Sequence, residues 1–227
     1  MREYPVIVAL DGMSREQAIA IARQLAGRVW GFKVHTLVTR YGFGIITTLK
    51  QFGKVFLDMK YHDTPHTVIE HVRAAFQHGA DMVSVHARSG PTALKGAVSE
   101  EKRGTLVVAI TDLTSQTDSS RVLELATLAH TSGVRAVVCS AHEARQVLAR
   151  HNDLLVLTPA IRPQGSSPDD QARVATAQEA LENGAHLLVI GRPITRAPDP
   201  KEALSALIPA SLSKACAPLS IVPQRHG

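Results

Sequence analysis

Between residues 56 and 68 the sequence reads FLDMKYHDTPHTV, and its core sets Asp58, Lys60 and Asp63 at a D-x-K-x-x-D spacing. Phe56, Leu57, Met59 and Tyr61 give the stretch the look of a buried strand, so the charges stand where apolar residues are expected. Strand alternation puts Asp58 and Lys60 on one face and Leu57 and Met59 on the other, with Asp63 in the connection that follows. A lysine carried into a protein interior loses hydration and, unpaired, sheds its proton; flanking carboxylates keep it an ammonium. At about 4 Å and an effective dielectric of about 20, each opposite charge contributes on the order of 4 kcal/mol before desolvation is subtracted. Such a lysine is a proton donor held cationic beside a negative charge that repels a substrate carboxylate. The same residues could instead form a structural ion network.

Other residues suggest a phosphate. LLVIGRPIT places Gly191 and Arg192 at the end of an apolar run, where a backbone amide and a guanidinium can hold an anion, although a lone Gly-Arg pair is a weak signal. The stretch TPAIRPQGSSPDDQARV is long, polar and rich in Gly and Pro, which suits a mobile lid over 161–173 or a plain surface connection. His62 and His86 are acid–base candidates or packing residues. Ser115 has no base beside it, so nucleophilic catalysis is not supported. No motif for a metal, flavin, thiamine or pyridoxal cofactor is present.

The elements that must position these groups are legible as a repeat. Apolar, β-branched runs recur at 5–11, 29–35, 55–61, 81–87, 105–111, 135–141, 154–160 and 186–192. Between them lie segments with helical periodicity, among them SREQAIAIARQLAG, TVIEHVRAAFQHGA, RVLELATLAHTSG and DQARVATAQEALENGA. Gly79, Gly133 and Gly184 follow three of these and lead into the next run, each fit to stop a helix in the left-handed conformation. Eight strand-then-helix units with strands apolar on both faces predict an α/β fold, a single-domain (β/α)8 TIM barrel over 1–208; an open doubly wound sheet is the alternative. The first loop, LDGMSREQ, lacks G-x-G-x-x-G, which favours the barrel. Nearly every run ends in a polar residue: Asp11, Lys33, Asp58 with Lys60, His86, Thr111 and Asp112, Ser140, Thr158, Arg192. Those are the positions from which this fold builds active sites. The tail over 209–227, with its prolines and small residues, reads as a loosely packed extension.

Composition narrows the function classes. With 44% apolar and 20% charged residues the 227-residue chain can build a sizeable core. The formal charge of +5 would suit nucleic acid or a small anionic substrate, but scattered basic residues and 4% aromatics argue against a base-stacking platform. No apolar run reaches the length of a membrane span and no signal peptide is apparent. Cys139 and Cys216 fit no metal or redox spacing, so a cytoplasmic setting is expected.

Together these motifs resemble the orotidine 5′-phosphate decarboxylase family, from VALD at residue 8 to GRPIT ending at residue 195: ALD with Asp11, FKV with Lys33, LDMKYHD, VSVHA with His86, LTS ending at Ser115, TPAIRP at 158–163, DQARV with Gln171, and IGRPIT. D-x-K-x-x-D alone is shared with related sugar-phosphate decarboxylases and lyases, whereas Lys33, TPAIRP, Gln171 and GRPIT together are far more specific. The resemblance implies cofactor-free decarboxylation of orotidine 5′-phosphate to uridine 5′-phosphate. It implies a homodimer in which Lys33, Asp58 and Lys60 are joined by Asp63 and Thr67 of the neighbouring subunit. Lys60 would protonate C6 and Asp58 would sit against the substrate carboxylate. Asp11 and Lys33 would hold the ribose, Ser115 the pyrimidine edge, and Gln171, Arg192 and the Gly191 amide the phosphate.

The chain departs from the usual family pattern at Thr64 and His66 in DTPHT, at Ala160 where glycine is typical, at Asp112 in an apolar slot, and at Gln116. Two other readings stay open on sequence: a metal-dependent sugar-phosphate decarboxylase or aldolase of the same barrel superfamily, and a non-enzymatic barrel that binds nucleotides or nucleic acid.

Overall fold

Eight strands form from the eight apolar runs: β1 Tyr4–Ala9, β2 Val29–Val34, β3 Lys54–Tyr61, β4 Met82–His86, β5 Leu106–Ile110, β6 Ala136–Val138, β7 Leu155–Thr158 and β8 Leu187–Ile190. They pair in parallel in chain order, and β1 joins β8 to close the barrel, with Val8 opposite Ile190. The computed structural model describes residues 4–112, 120–163 and 174–208. A closed sheet excludes the open doubly wound alternative. Most strands stop one to three residues before the end of their apolar run, because the polar residues there leave the ladder to turn over the barrel mouth.

Helices alternate with the strands: α1 Arg15–Leu25, α2 Thr36–Tyr41, α3 Gly44–Leu49, α4 Pro65–Gln77, α5 Gly90–Ser99, α6 Val122–Thr131, α7 Ala141–Arg150, α8 Ala177–Glu182, α9 Arg192–Thr195 and α10 Pro200–Leu207. Local chemistry sets their starts. Ser14 and Gln17 form a reciprocal capping box on α1, as do Ser140 and Glu143 on α7 and Thr176 and Glu179 on α8. Pro65 and Pro200 open α4 and α10, where their missing N–H costs nothing. Gly79, Gly133 and Gly184 take φ of 93°, 87° and 97°, as a left-handed helix stop requires.

One expectation is corrected. Within DQARVATAQEALENGA the described residues 174–176 are not helical and the helix begins at Ala177, because Ala175 pairs with Ile161 in an isolated parallel bridge. Arg162 N–H donates to Ala175 O at 2.9 Å and Ala175 N–H to Ala160 O at 3.3 Å. The two feet of the excursion after β7 are thus tied together; its middle, with most of the expected lid, lies outside the described residues, as does the expected tail over 209–227.

Packing follows the pleat. In β3, Val55 and Leu57 join the layer between sheet and helices, whereas Phe56 enters the barrel interior with Ile7, Leu106, Leu157 and Leu187. The interior is a packed plug, and on β3 Asp58, two residues beyond Phe56, stands on top of it.

Candidate active site

A cavity of about 930 Å³ opens at the C-terminal mouth of the barrel. Asp11, Lys33, Asp58 and Lys60 line one side; Gly191 and Arg192 line another. Phe56, Ile110, Val138 and Val189 form its apolar floor.

The charged array is built largely by β3. Alternation carries Asp58 inward after Phe56, as expected, but Lys60 reaches the cavity by a further device. The register between β3 and β4 shifts between Leu57 and Tyr61, and Lys60 itself has a φ of 54°. A non-glycine residue in the left-handed region is strained by roughly 1–2 kcal/mol, and it persists where its surroundings fix it. Here Ser84 does so. Lys60 N–H donates to Ser84 Oγ at 2.8 Å, and that hydroxyl donates onward to Asp58 Oδ1 at 2.9 Å. Ser84 is fully buried on β4, so both charged residues hang from one neutral group.

The opposite oxygen of Asp58 takes both lysines: Lys60 Nζ stands 2.7 Å and Lys33 Nζ 3.3 Å from Oδ2. Lys33 also pairs with Asp11. Asp11 Oδ1 is fixed in turn by the backbone N–H groups of His35 at 3.0 Å and Thr36 at 3.3 Å, at the start of α2. Charge therefore alternates, Asp11, Lys33, Asp58, Lys60, across the ends of β1, β2 and β3. Burial by itself would raise the Asp58 carboxyl, yet Lys33 and Lys60, with hydrogen bonds from Lys60 and Ser84, hold it below the ordinary carboxylate range. Burial pulls the Lys33 ammonium down, and Asp58 and Asp11 outweigh it, leaving Lys33 above an ordinary lysine. Both stay charged at neutral pH.

Asp11, Lys33, Asp58, Lys60, Gly191 and Arg192 are thus gathered at one mouth. Asp63 and Thr67 are not: Asp63 accepts from the Thr64 N–H at 2.6 Å, and Thr67 meets the Thr64 hydroxyl at 3.0 Å, both outside the cavity lining. Ser115, Gln116 and Gln171 lie outside the described residues. Of the histidines, His86 packs against the His62 ring at 5.4 Å and accepts from the Arg88 N–H at 3.2 Å. Burial, then His62 and Arg88, push it down to about 4, so it is a neutral packing residue at pH 7 and not a poised acid. Sequence reasoning missed Ser84, which VSVHA displays without marking, and Arg162, a buried guanidinium lining the cavity from within TPAIRP. Ala160, beside it, has a φ of 63°, the left-handed conformation for which a glycine is suited.

A closed parallel (β/α)8 barrel whose mouth holds an aspartate-bound lysine at one side and Gly191 and Arg192 at the other defines the class, a barrel enzyme with a charged site at the C-terminal ends of its strands. The chain belongs to the Orotidine 5′-phosphate decarboxylase / HUMPS family, whose pattern matches residues 4–207. A protein of Dichelobacter nodosus (strain VCS1703A) named orotidine 5′-phosphate decarboxylase is 42% identical over 226 residues, covering 92% of this chain and 99% of that protein. A Pseudomonas aeruginosa (strain LESB58) protein of the same name is 41% identical, covering 91% of this chain and 97% of its own. The crystal structure of orotidine 5′-phosphate decarboxylase from Lactobacillus acidophilus superposes with a TM-score of 0.76 at 33% identity, over 90% of this chain and 97% of that one.

Proposed function

We propose that this chain decarboxylates orotidine 5′-phosphate to uridine 5′-phosphate in pyrimidine biosynthesis, without a cofactor. The observation that carries the reading is Lys60 Nζ, 2.7 Å from a buried Asp58 that also holds Lys33, in one cavity with Arg192. The C6–carboxylate bond breaks, carbon dioxide leaves, and the electron pair left on C6 takes a proton from the Lys60 ammonium. Asp58 holds Lys60 in place and stands beside the departing carboxylate, where its negative charge disfavours the ground state. Asp11 and Lys33 hold the ribose hydroxyls. Arg192 and the Gly191 amide take the phosphate, with Gln171 from the loop beyond β7, and Ser115 meets the pyrimidine edge. Phosphate binding remote from C6 then supplies binding energy for chemistry at that carbon.

Asp63 and Thr67 complete the site of a second copy, which makes the active unit a homodimer. Their position outside their own cavity supports that assignment. The cytoplasm is the compartment we assign. Among the described residues no helix is long and apolar enough to cross a membrane. The names of the relatives favour this reading over a metal-dependent sugar-phosphate lyase. The test is the loss of orotidine 5′-phosphate absorbance with and without chelator. Equal rates are expected; turnover confined to a sugar phosphate and abolished by chelator would overturn the proposal.

A further inference from the structure

The substrate placed above accounts for the cavity from Asp11 round to Arg192, but the lining does not end there. It continues past Arg192 to Thr195 and Arg196 at the end of α9, and to Met13, Gln17 and Ala20 at the start of α1. Small-molecule sites run to about 1,000 Å³, and at about 930 Å³ this cavity lies near that upper end. Arg196 is exposed, and among the described residues no carboxylate pairs with it. The carboxylates that share the cavity are already engaged: Asp11 and Asp58 hold Lys33 and Lys60, and Asp112 holds Arg88. Beside Arg196 stand further donors. The Ser14 N–H donates to Gln17 Oε1 at 2.9 Å, which leaves the Gln17 amide nitrogen to donate elsewhere, and Thr195 adds a hydroxyl.

A guanidinium, an amide nitrogen and a hydroxyl, with no carboxylate left over to neutralise them, fit an anion. Its position narrows what the anion belongs to. Arg196 follows Arg192 by four residues, and its N–H donates to the Arg192 carbonyl at 3.1 Å, so the two stand one turn apart and both line the cavity. A ligand whose first phosphate lies at Arg192 and whose second follows directly would meet both. We propose that Arg196, with Gln17 and Thr195, forms a subsite for the β-phosphate of a pyrimidine nucleoside 5′-diphosphate. Uridine 5′-diphosphate, the reaction product carrying one further phosphoryl group, then competes with substrate and restrains the enzyme. The inference rests on the substrate reading above, which sets the 5′-phosphate at Arg192.

The test is calorimetric binding of uridine 5′-phosphate and uridine 5′-diphosphate, at one ionic strength and with chelator present, to wild type, Arg196→Gln and Lys201→Gln. An exposed ion pair supplies a modest gain, so wild type binds the diphosphate about threefold or more tighter than the monophosphate. Arg196→Gln brings that ratio to about one while changing monophosphate affinity by less than about threefold. Lys201→Gln, which removes an exposed charge outside the cavity lining, leaves the ratio as in wild type. A wild type that binds the diphosphate more weakly than the monophosphate, or a ratio that Arg196→Gln does not move, would overturn the subsite. An equal fall in both variants would show a diffuse positive field instead of a site, and would overturn it too. Wild type that binds the monophosphate but not the diphosphate costs only this subsite, whereas wild type that binds neither removes the placement of the phosphate at Arg192 as well.

Discussion

Ser84 joins the two residues on which the chemistry turns. Its hydroxyl accepts the Lys60 N–H and donates to Asp58, so it fixes a strained backbone and orients a carboxylate with one atom. Ser84→Ala removes the donor to a buried, charged Asp58, an interaction typically worth about 1.5–3 kcal/mol. Steady-state kinetics on the variant should show kcat reduced by roughly 10- to 100-fold, with KM changed by less than about threefold, because Asp11, Lys33 and Arg192, the groups proposed to hold ribose and phosphate, do not bond to Ser84. A KM effect without a kcat effect would count against its role. The charges of β3 were visible in the sequence because charge in an apolar run is anomalous. Ser84 was not: serine inside a strand has no such contrast, and its partners are 24 and 26 residues away. Asp112 stood out as a charge in an apolar slot, but its pairing with Arg88 was not legible, because it is made only once β4 and β5 lie side by side.

Strands and loops carry their own strains. At Gly31 of β2 a Cβ would lie 2.2 Å from the Lys54 carbonyl oxygen, a backbone atom at the start of β3 that cannot swing aside. Gly31→Ala therefore forces β2 and β3 apart beneath Lys33 and Asp58, at about 1–3 kcal/mol, and thermal unfolding should move down by several degrees, about 2–4 °C per kcal/mol for a domain of this size. Ala160 runs the other way. Its φ of 63° strains an L-residue at the tied feet of the loop after β7. Ala160→Gly relieves that strain at some entropic cost, for a net gain of about 0.5–1 kcal/mol seen as a higher unfolding midpoint. Strand and helix order was legible because each unit repeats one pattern, and three of the units end on a glycine stop. The β3 bulge was not legible, since period-two alternation predicts the same face for Asp58 and Lys60 without it. The helical reading of 174–176 failed because the pairing of Ala175 with Ile161 is a tertiary contact that overrides local periodicity.

At the scale of the whole barrel, the neutral histidines set an acid limit. His186 is kept below its ordinary value by burial, and its Nδ1 accepts the Val156 N–H at 3.1 Å. His86 lies near 4. Both bind protons in the unfolded chain below about pH 6.5 and resist them in the fold, so their contribution is whole above that pH and is lost as pH falls toward 4. Asp58, also depressed, extends the loss below the ordinary carboxylate range. Lys33, raised, acts at the other end: its contribution is whole below the ordinary lysine value and is lost as pH rises through its own. Thermal scans at stepped pH should show an unfolding midpoint that is level near neutrality and falls between about pH 6.5 and 4; a midpoint unchanged down to pH 4 would refute this. The function proposed for the barrel turns on the Lys60 ammonium giving its proton to C6. That transfer is probed by the decarboxylation rate of Lys60→Ala on orotidine 5′-phosphate, with binding of uridine 5′-phosphate measured on the same preparation. A rate lower by about 10³-fold or more with nucleotide binding retained is expected, whereas turnover within about tenfold of wild type would show that the proton comes from elsewhere.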